Sequence, residues 1–167
     1  MRECLRAAPI ASVMAVQATL AELAKLRPAV DGVVILSQPI ERVRQGLMNH
    51  VPTILGLMNN ESTVLIQKTF PPAAAASNTR AAFEAVTSMF GAEAIDTLAQ
   101  LYPVGPVQGA CPSYYAAMAK IDTDWYYSCP VLAWLEALAA GAHREAWLYH
   151  WTYEASWFPA YYGAHHT

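Results

Sequence analysis

Two groups in this chain have the types and settings of a known piece of chemistry: an acidic residue in a polar loop, Glu61, and an imidazole close to the last residue, His166. Glu61 comes after the apolar run Val51-Pro52-Thr53-Ile54-Leu55-Gly56-Leu57 and the polar residues Asn59 and Asn60, and His166 ends the run Gly163-Ala164-His165-His166. A carboxylate that holds an imidazole in one tautomer leaves the other ring nitrogen free to draw a proton from a hydroxyl nucleophile. A serine used in this way sits on a sharp strand-to-helix turn flanked by glycines, in the pattern Gly-x-Ser-x-Gly. None of Ser12, Ser37, Ser62, Ser77, Ser88, Ser113, Ser128 and Ser156 has that setting. On their own terms Glu61 reads as a solvated loop carboxylate and His166 as a polar terminus.

The elements that would position these groups are legible in outline. Val13, Val16, Leu20 and Leu23 recur at helical spacing, with Pro9 suited to a first turn, and predict a packed helix near the start. Asp31-Gly32 is a turn signal leading into Val33-Val34-Ile35-Leu36, a short apolar run expected to be extended. Pro39 opens a short helix over 40–47, closed by Gly46 and Asn49. Residues 51–57 read as a buried strand, apolar on both faces as in the middle of a parallel sheet. After Pro71-Pro72 and four alanines, an N-cap is expected at Ser77 or Asn78. Two helices follow, with Phe83, Val86, Met89 and Phe90 on one and Ile95, Leu98, Leu101 and Tyr102 on the other, separated by Gly91. Residues 113–127 and 131–140 read as helices with the axis restarted or kinked at Pro130, and Gly141 stops the second. Residues 146–153 form a second buried strand. A strand, several helices and a strand imply a right-handed crossover between parallel neighbours, and so an α/β fold with a large helical excursion.

Composition narrows the function classes. The chain has 167 residues, 55% hydrophobic and only 14% charged, against about 25% charged in an ordinary globular protein. So few charges suggest surfaces that meet other protein. A net charge of -3, with ten basic residues spread along the sequence, leaves no basic stripe for nucleic acid. The uncharged stretch 7–21 is too closely followed by Glu22, Lys25 and Arg27 on an amphipathic pattern to be read as a signal peptide, and no apolar run reaches the length of a membrane span. Cys4, Cys111 and Cys129 are odd in number, so at least one stays unpaired within a monomer.

His143, His150, His165 and His166 do not fall into a His-Glu-x-x-His or paired Cys-x-x-Cys pattern, so no metal or other cofactor is expected, and an imidazole on a buried strand is read as hydrogen-bonded in the core. Trp125, Tyr126, Tyr127, Trp151, Trp157, Tyr161 and Tyr162 are read mostly as core, with the stretch 157–162 bordering a site.

Taken in order, several short motifs resemble the carboxyl-terminal half of the type B carboxylesterases, the family that includes the cholinesterases. They begin with Glu3-Cys4-Leu5-Arg6, Pro28-x-x-Asp31-Gly32 and Pro39. Val51-Pro52-x-x-x-Gly56 leading to Asn60-Glu61 is similar to the family's strand and acid loop, and Asp124 with Cys129-Pro130 to its Asp-x-x-x-x-Cys-Pro spacing. Trp147-Leu148-Tyr149-His150 resembles the penultimate strand, and Gly163-Ala164-His165-His166 the Gly-x-x-His segment that carries the catalytic histidine. Between Thr69 and Cys111 the likeness is only that both are helical. Ser62 and Thr167 stand where the family has glycine.

The resemblance implies a partial α/β-hydrolase over residues 1–167, its carboxyl-terminal strands present and its nucleophile-bearing amino-terminal part absent. It further implies Glu61 as the acid and His166, in preference to His165, as the base of a serine hydrolase acting on small carboxylic esters, inactive by itself. The alternatives are a non-catalytic, hydrolase-like interaction domain and a chain with no role of its own. By the same resemblance the family is often secretory, Cys4 and Cys129 match positions bridged in some members, and the compartment of this chain is left open.

Overall fold

The structure is a computed structural model that describes residues 2–20, 28–69, 78–141, 145–157 and 163–165. The chain divides into two compact units, Met1–Pro39 and Ile40–Thr167.

The first unit contains α1 (Arg2–Ala7) and α2 (Ile10–Leu20). Pro9 lies between them, and its carbonyl accepts from Ser12 and Val13, so it starts α2 instead of breaking it. The expected packing of α2 is not found among the described side chains. Val13 and Val16 are exposed, and Leu23 lies outside the described residues. Residues 33–36 are also not extended. Asp31 Oδ1 accepts at 2.9 Å from each of the Val33, Val34 and Ile35 amides, and Gly32 N–H donates to Ile35 O. One side chain thus closes a turn that the apolar run masks. The Val33, Ile35 and Val34 amides hold the Asp31 carboxyl below its ordinary range. A lowered pKa means the turn has its full support above about pH 4 and loses it as the pH falls further. The Val33 and Val34 amide resonances are therefore expected to hold steady from neutrality down to that point and to move towards disordered values below it.

The second unit begins at α3 (Pro39–Arg44). Gly46, at φ +71°, donates to Val43 O, and Leu47 donates to Arg42 O, which is the double bond of a Schellman stop. β1 (Thr53–Met58) follows, then α4 (Thr63–Thr69), α5 (Arg80–Thr87) with a 3₁₀ turn at Ser88–Phe90, and α6 (Ala94–Leu101). The N-cap of α5 is Thr79, whose hydroxyl accepts from Ala82 N, and not Ser77 or Asn78. Asn78 serves another helix instead: its Oδ1 accepts from Tyr114 N in the first turn of α7 (Tyr114–Thr123). Ser113 caps α7 through Ala116 N, an interaction of about 1 kcal/mol.

The helix does not stop at Pro130. A π-helical turn, Asp124–Ser128, joins α7 to α8 (Cys129–Ala140), with Cys129 N–H reaching Asp124 O. Proline has no amide to give and crowds the preceding turn, and widening that turn accommodates it. Ile66, Phe83, Tyr115, Met118 and Ile121 form the main core between α4, α5 and α7. Met89 and Leu101, expected on packed faces, are exposed.

β2 (Ala146–Trp151) pairs in parallel with β1, from Thr53 opposite Ala146 to Met58 opposite Trp151. Asn59 N–H extends the pairing to Trp151 O. The crossover and the parallel sheet agree with the sequence, but the burial does not. Register partners in a parallel pair share a face. The face with Leu55 and Ala146 packs on Val43, Ala137 and Leu138 of α3 and α8. The other carries Ile54, Trp147, Tyr149 and Trp151, which are 69%, 52%, 53% and 49% exposed. A parallel sheet is normally covered on both faces, and here only one is covered by described residues. Gly56 lies under the Tyr149 ring on the open face, and a Cβ there would fall inside the ring.

Candidate active site

Glu61 sits in the turn between β1 and α4. It is not solvated: the residue is 6% exposed, and its Oε1 accepts from Met58 N–H at 2.8 Å. The turn is closed by Asn60 O, which accepts from both the amide and the hydroxyl of Thr63. Ser62 O accepts from Ile66 N to start α4. Two groups on α7 reach across to this turn. Thr123 Oγ1 accepts from Ser62 N at 3.1 Å, and Tyr115 OH donates to Thr63 O at 2.8 Å.

The segment before His166 is tied to the same turn. Asn60 N–H donates to Ala164 O at 2.8 Å, and Ala164 N–H donates to Asn60 Oδ1 at 3.1 Å. Gly163 permits this approach. Its φ is +59°, and a Cβ would run into the Asn60 side-chain amide. His166 itself lies outside the described residues, as do His143, Tyr161 and Tyr162. His165 is half-buried, with Nδ1 3.0 Å from Gly163 O. His150, expected in the core, is exposed on β2. Trp125, Tyr126, Trp151 and Trp157 are exposed too, so these aromatics are surface and not core.

Residue types alone did not single out Thr123 or Tyr115, and Tyr127 was read only among the core aromatics. Burial and then the charge of Glu61 push the Tyr127 phenol up, which places it within electrostatic reach of the acid. Ser62, next to Glu61, is fully buried, and its Oγ meets no hydrogen-bond partner among the described residues. A buried hydroxyl without a partner costs about 1–3 kcal/mol. Ser62→Ala keeps the amide bonded to Thr123 and is expected to stabilise the chain by about 1 kcal/mol, read as a higher urea midpoint.

Beside Asn60 opens a cleft of about 550 Å³, bordered by Tyr102, Cys111, Ala116, Lys120 and Asp124. Tyr102 OH donates to Asp124 Oδ2 at 2.9 Å, and Lys120 Nζ lies 3.5 Å from Asp124 Oδ1. Burial, then the bond to Asp124, raise the Tyr102 phenol. Cys111 is a free thiol that burial pushes above its ordinary range, so near neutrality it is protonated and a poor substitute for a serine nucleophile. Cys129 is also free, and the Cys4 side chain lies outside the described residues.

Residues 1–167 match the description of the carboxylesterase family along their whole length. The chain belongs to the carboxylesterase family. That family implies an α/β-hydrolase fold, in keeping with the parallel β1–β2 pair and its helical crossover. Among curated proteins it is similar to one named Crystal protein from Dictyostelium discoideum, with 26% identity over 127 residues. The match covers 76% of this chain and 22% of that protein, so the chain spans less than a quarter of the relative's length. No helix among the described residues is long and apolar enough to cross a membrane.

Proposed function

We propose that this chain supplies the acid and general base, Glu61 and His166, of a serine hydrolase of small carboxylic esters, with the nucleophile contributed by the amino-terminal part of the same fold. The observation that carries this reading is the pairing of Asn60 with Ala164, which holds the turn of a buried carboxylate against the segment leading into His166. In the reaction Glu61 accepts a hydrogen bond from the proton-bearing nitrogen of the imidazole and fixes its tautomer. The other nitrogen takes the serine proton as the oxygen attacks the ester carbonyl, and the imidazolium then protonates the departing alcohol. Water repeats the cycle on the acyl-enzyme and regenerates the serine.

The second reading, a hydrolase-like interaction domain without catalysis, draws on the uncovered face bearing Trp147, Tyr149 and Trp151. One experiment separates the two. The pure chain is expected to show no turnover of an aryl ester and no labelling by a serine-directed phosphonate. Phosphonate-sensitive hydrolysis by the chain alone removes the proposal. Coding sequence upstream of Met1 then decides between enzyme and binder: an intact Gly-x-Ser-x-Gly supports the first, its loss the second.

A further inference from the structure

We infer that Thr123 and Tyr115 are positioning residues for Glu61, acting from α7 through the backbone of the acid turn. The inference rests on the reading of Glu61 as the triad acid. A catalytic carboxylate has to be held to a fraction of an ångström, and one on a loop needs support from a rigid element. The turn has local closures of its own, from Thr63 to Asn60 O and from Met58 N–H to Glu61 Oε1. These define its shape without fixing it to the rest of the fold.

The Asn60–Ala164 pairing ties the turn to the segment 163–165, and the two α7 groups anchor it to the helical core. Thr123, 1% exposed, accepts at Oγ1 from the Ser62 amide immediately after Glu61, and Tyr115, 5% exposed, donates its hydroxyl proton to Thr63 O one residue later. They stand about two helical turns apart on α7, so a single straight element grips consecutive residues. The residues between them, Ala117, Met118, Ala119 and Ile121, are buried in the main core, so the element is itself held fast. Each bond joins a helix interior to a turn more than fifty residues away in sequence, the Ser62–Thr123 pair being separated by 61 positions and the Thr63–Tyr115 pair by 52.

The Ser62 amide has no water to turn to, because the residue is fully buried. Losing the Thr123 hydroxyl leaves that donor unpaired, which favours opening of the turn.

The Met58 amide, bonded to the Glu61 carboxylate, reports the position of the acid without any need for turnover. The test is residue-resolved hydrogen exchange and the Glu61 side-chain carboxyl ¹³C resonance, measured on the full chain as wild type, Thr123→Val, Thr123→Ser and Tyr115→Phe. Thr123→Val is expected to speed exchange at Ser62 and Met58 about tenfold or more, and to move the carboxyl resonance. The Met118 and Ala119 amides should keep their wild-type rates. Thr123→Ser, which retains the hydroxyl, should restore the wild-type pattern, and Tyr115→Phe should show a smaller change of the same kind.

Unchanged Met58 exchange in Thr123→Val overturns the inference. So does failure of Thr123→Ser to restore it, a uniform rise at every amide, which makes Thr123 a packing residue alone, or an unprotected Met58 amide in the wild type. A catalytically dispensable Glu61 would leave this exchange pattern as it is, so failure of the functional reading and failure of the clamp give different results.

Discussion

In a catalytically competent protein containing this segment, Glu61→Gln is expected to lower kcat by roughly 10³- to 10⁴-fold, with little change in KM or in stability. Glutamine matches the shape of glutamate and keeps an Oε1 for the Met58 amide, so the turn remains closed. What it loses is the charge that orients a proton-bearing imidazole and stabilises the imidazolium formed as the serine attacks. The effect is therefore confined to the chemical step. His166→Ala should cost about as much, and the two together little more than either alone, because the members of a triad act as a unit. Steady-state hydrolysis of an aryl acetate measures all three variants. Near-normal turnover by Glu61→Gln removes the acid assignment and leaves the interaction-domain reading in possession.

Gly163→Ala is expected to be the most damaging change outside the proposed acid and base. Alanine at φ +59° costs about 1–2 kcal/mol. Its Cβ also displaces the Asn60 side-chain amide, the acceptor for Ala164 N–H. Adding about 1 kcal/mol for that bond, the total is about 2–3 kcal/mol. A urea titration of the chain reads the loss directly, and a wild-type midpoint would show that the acid turn and the segment 163–165 are not coupled as described. On the proposed function the same variant should lower turnover of a competent enzyme with no chemical group removed, since it disturbs the pairing of Asn60 with Ala164.

Most of the order of elements was readable because its signals are local, although α1 and α4 were not foreseen. Apolar runs, Gly46 and Gly91, and proline at helix starts announce helices, strands and their ends within a few residues. The parallel pairing of β1 with β2 follows from the helical excursion between them. The place of Glu61 just after β1 was readable from the motif, whereas its burial was not, since its residue type argued for exposure.

What stayed hidden depends on distance. Thr123, Tyr115 and Asn60 are ordinary residues by themselves, and their partners lie 61, 52 and 104 positions away. The turn at 31–35 was missed for the opposite reason, because one carboxylate outweighs an apolar run of which Val33, Val34 and Leu36 are left exposed. The burial expected of both strands was misread because it depends on a second covering layer, and hydropathy reports what a strand prefers without naming what lies over it.

The bare side of the sheet sets how the isolated polypeptide behaves in a tube. Tryptophan and tyrosine rings half in water gain by meeting one another, and that gain grows with warming and with sulfate, which is excluded from protein surfaces. Solutions of the chain should clear on chilling at low salt and turn cloudy on heating or on addition of sulfate.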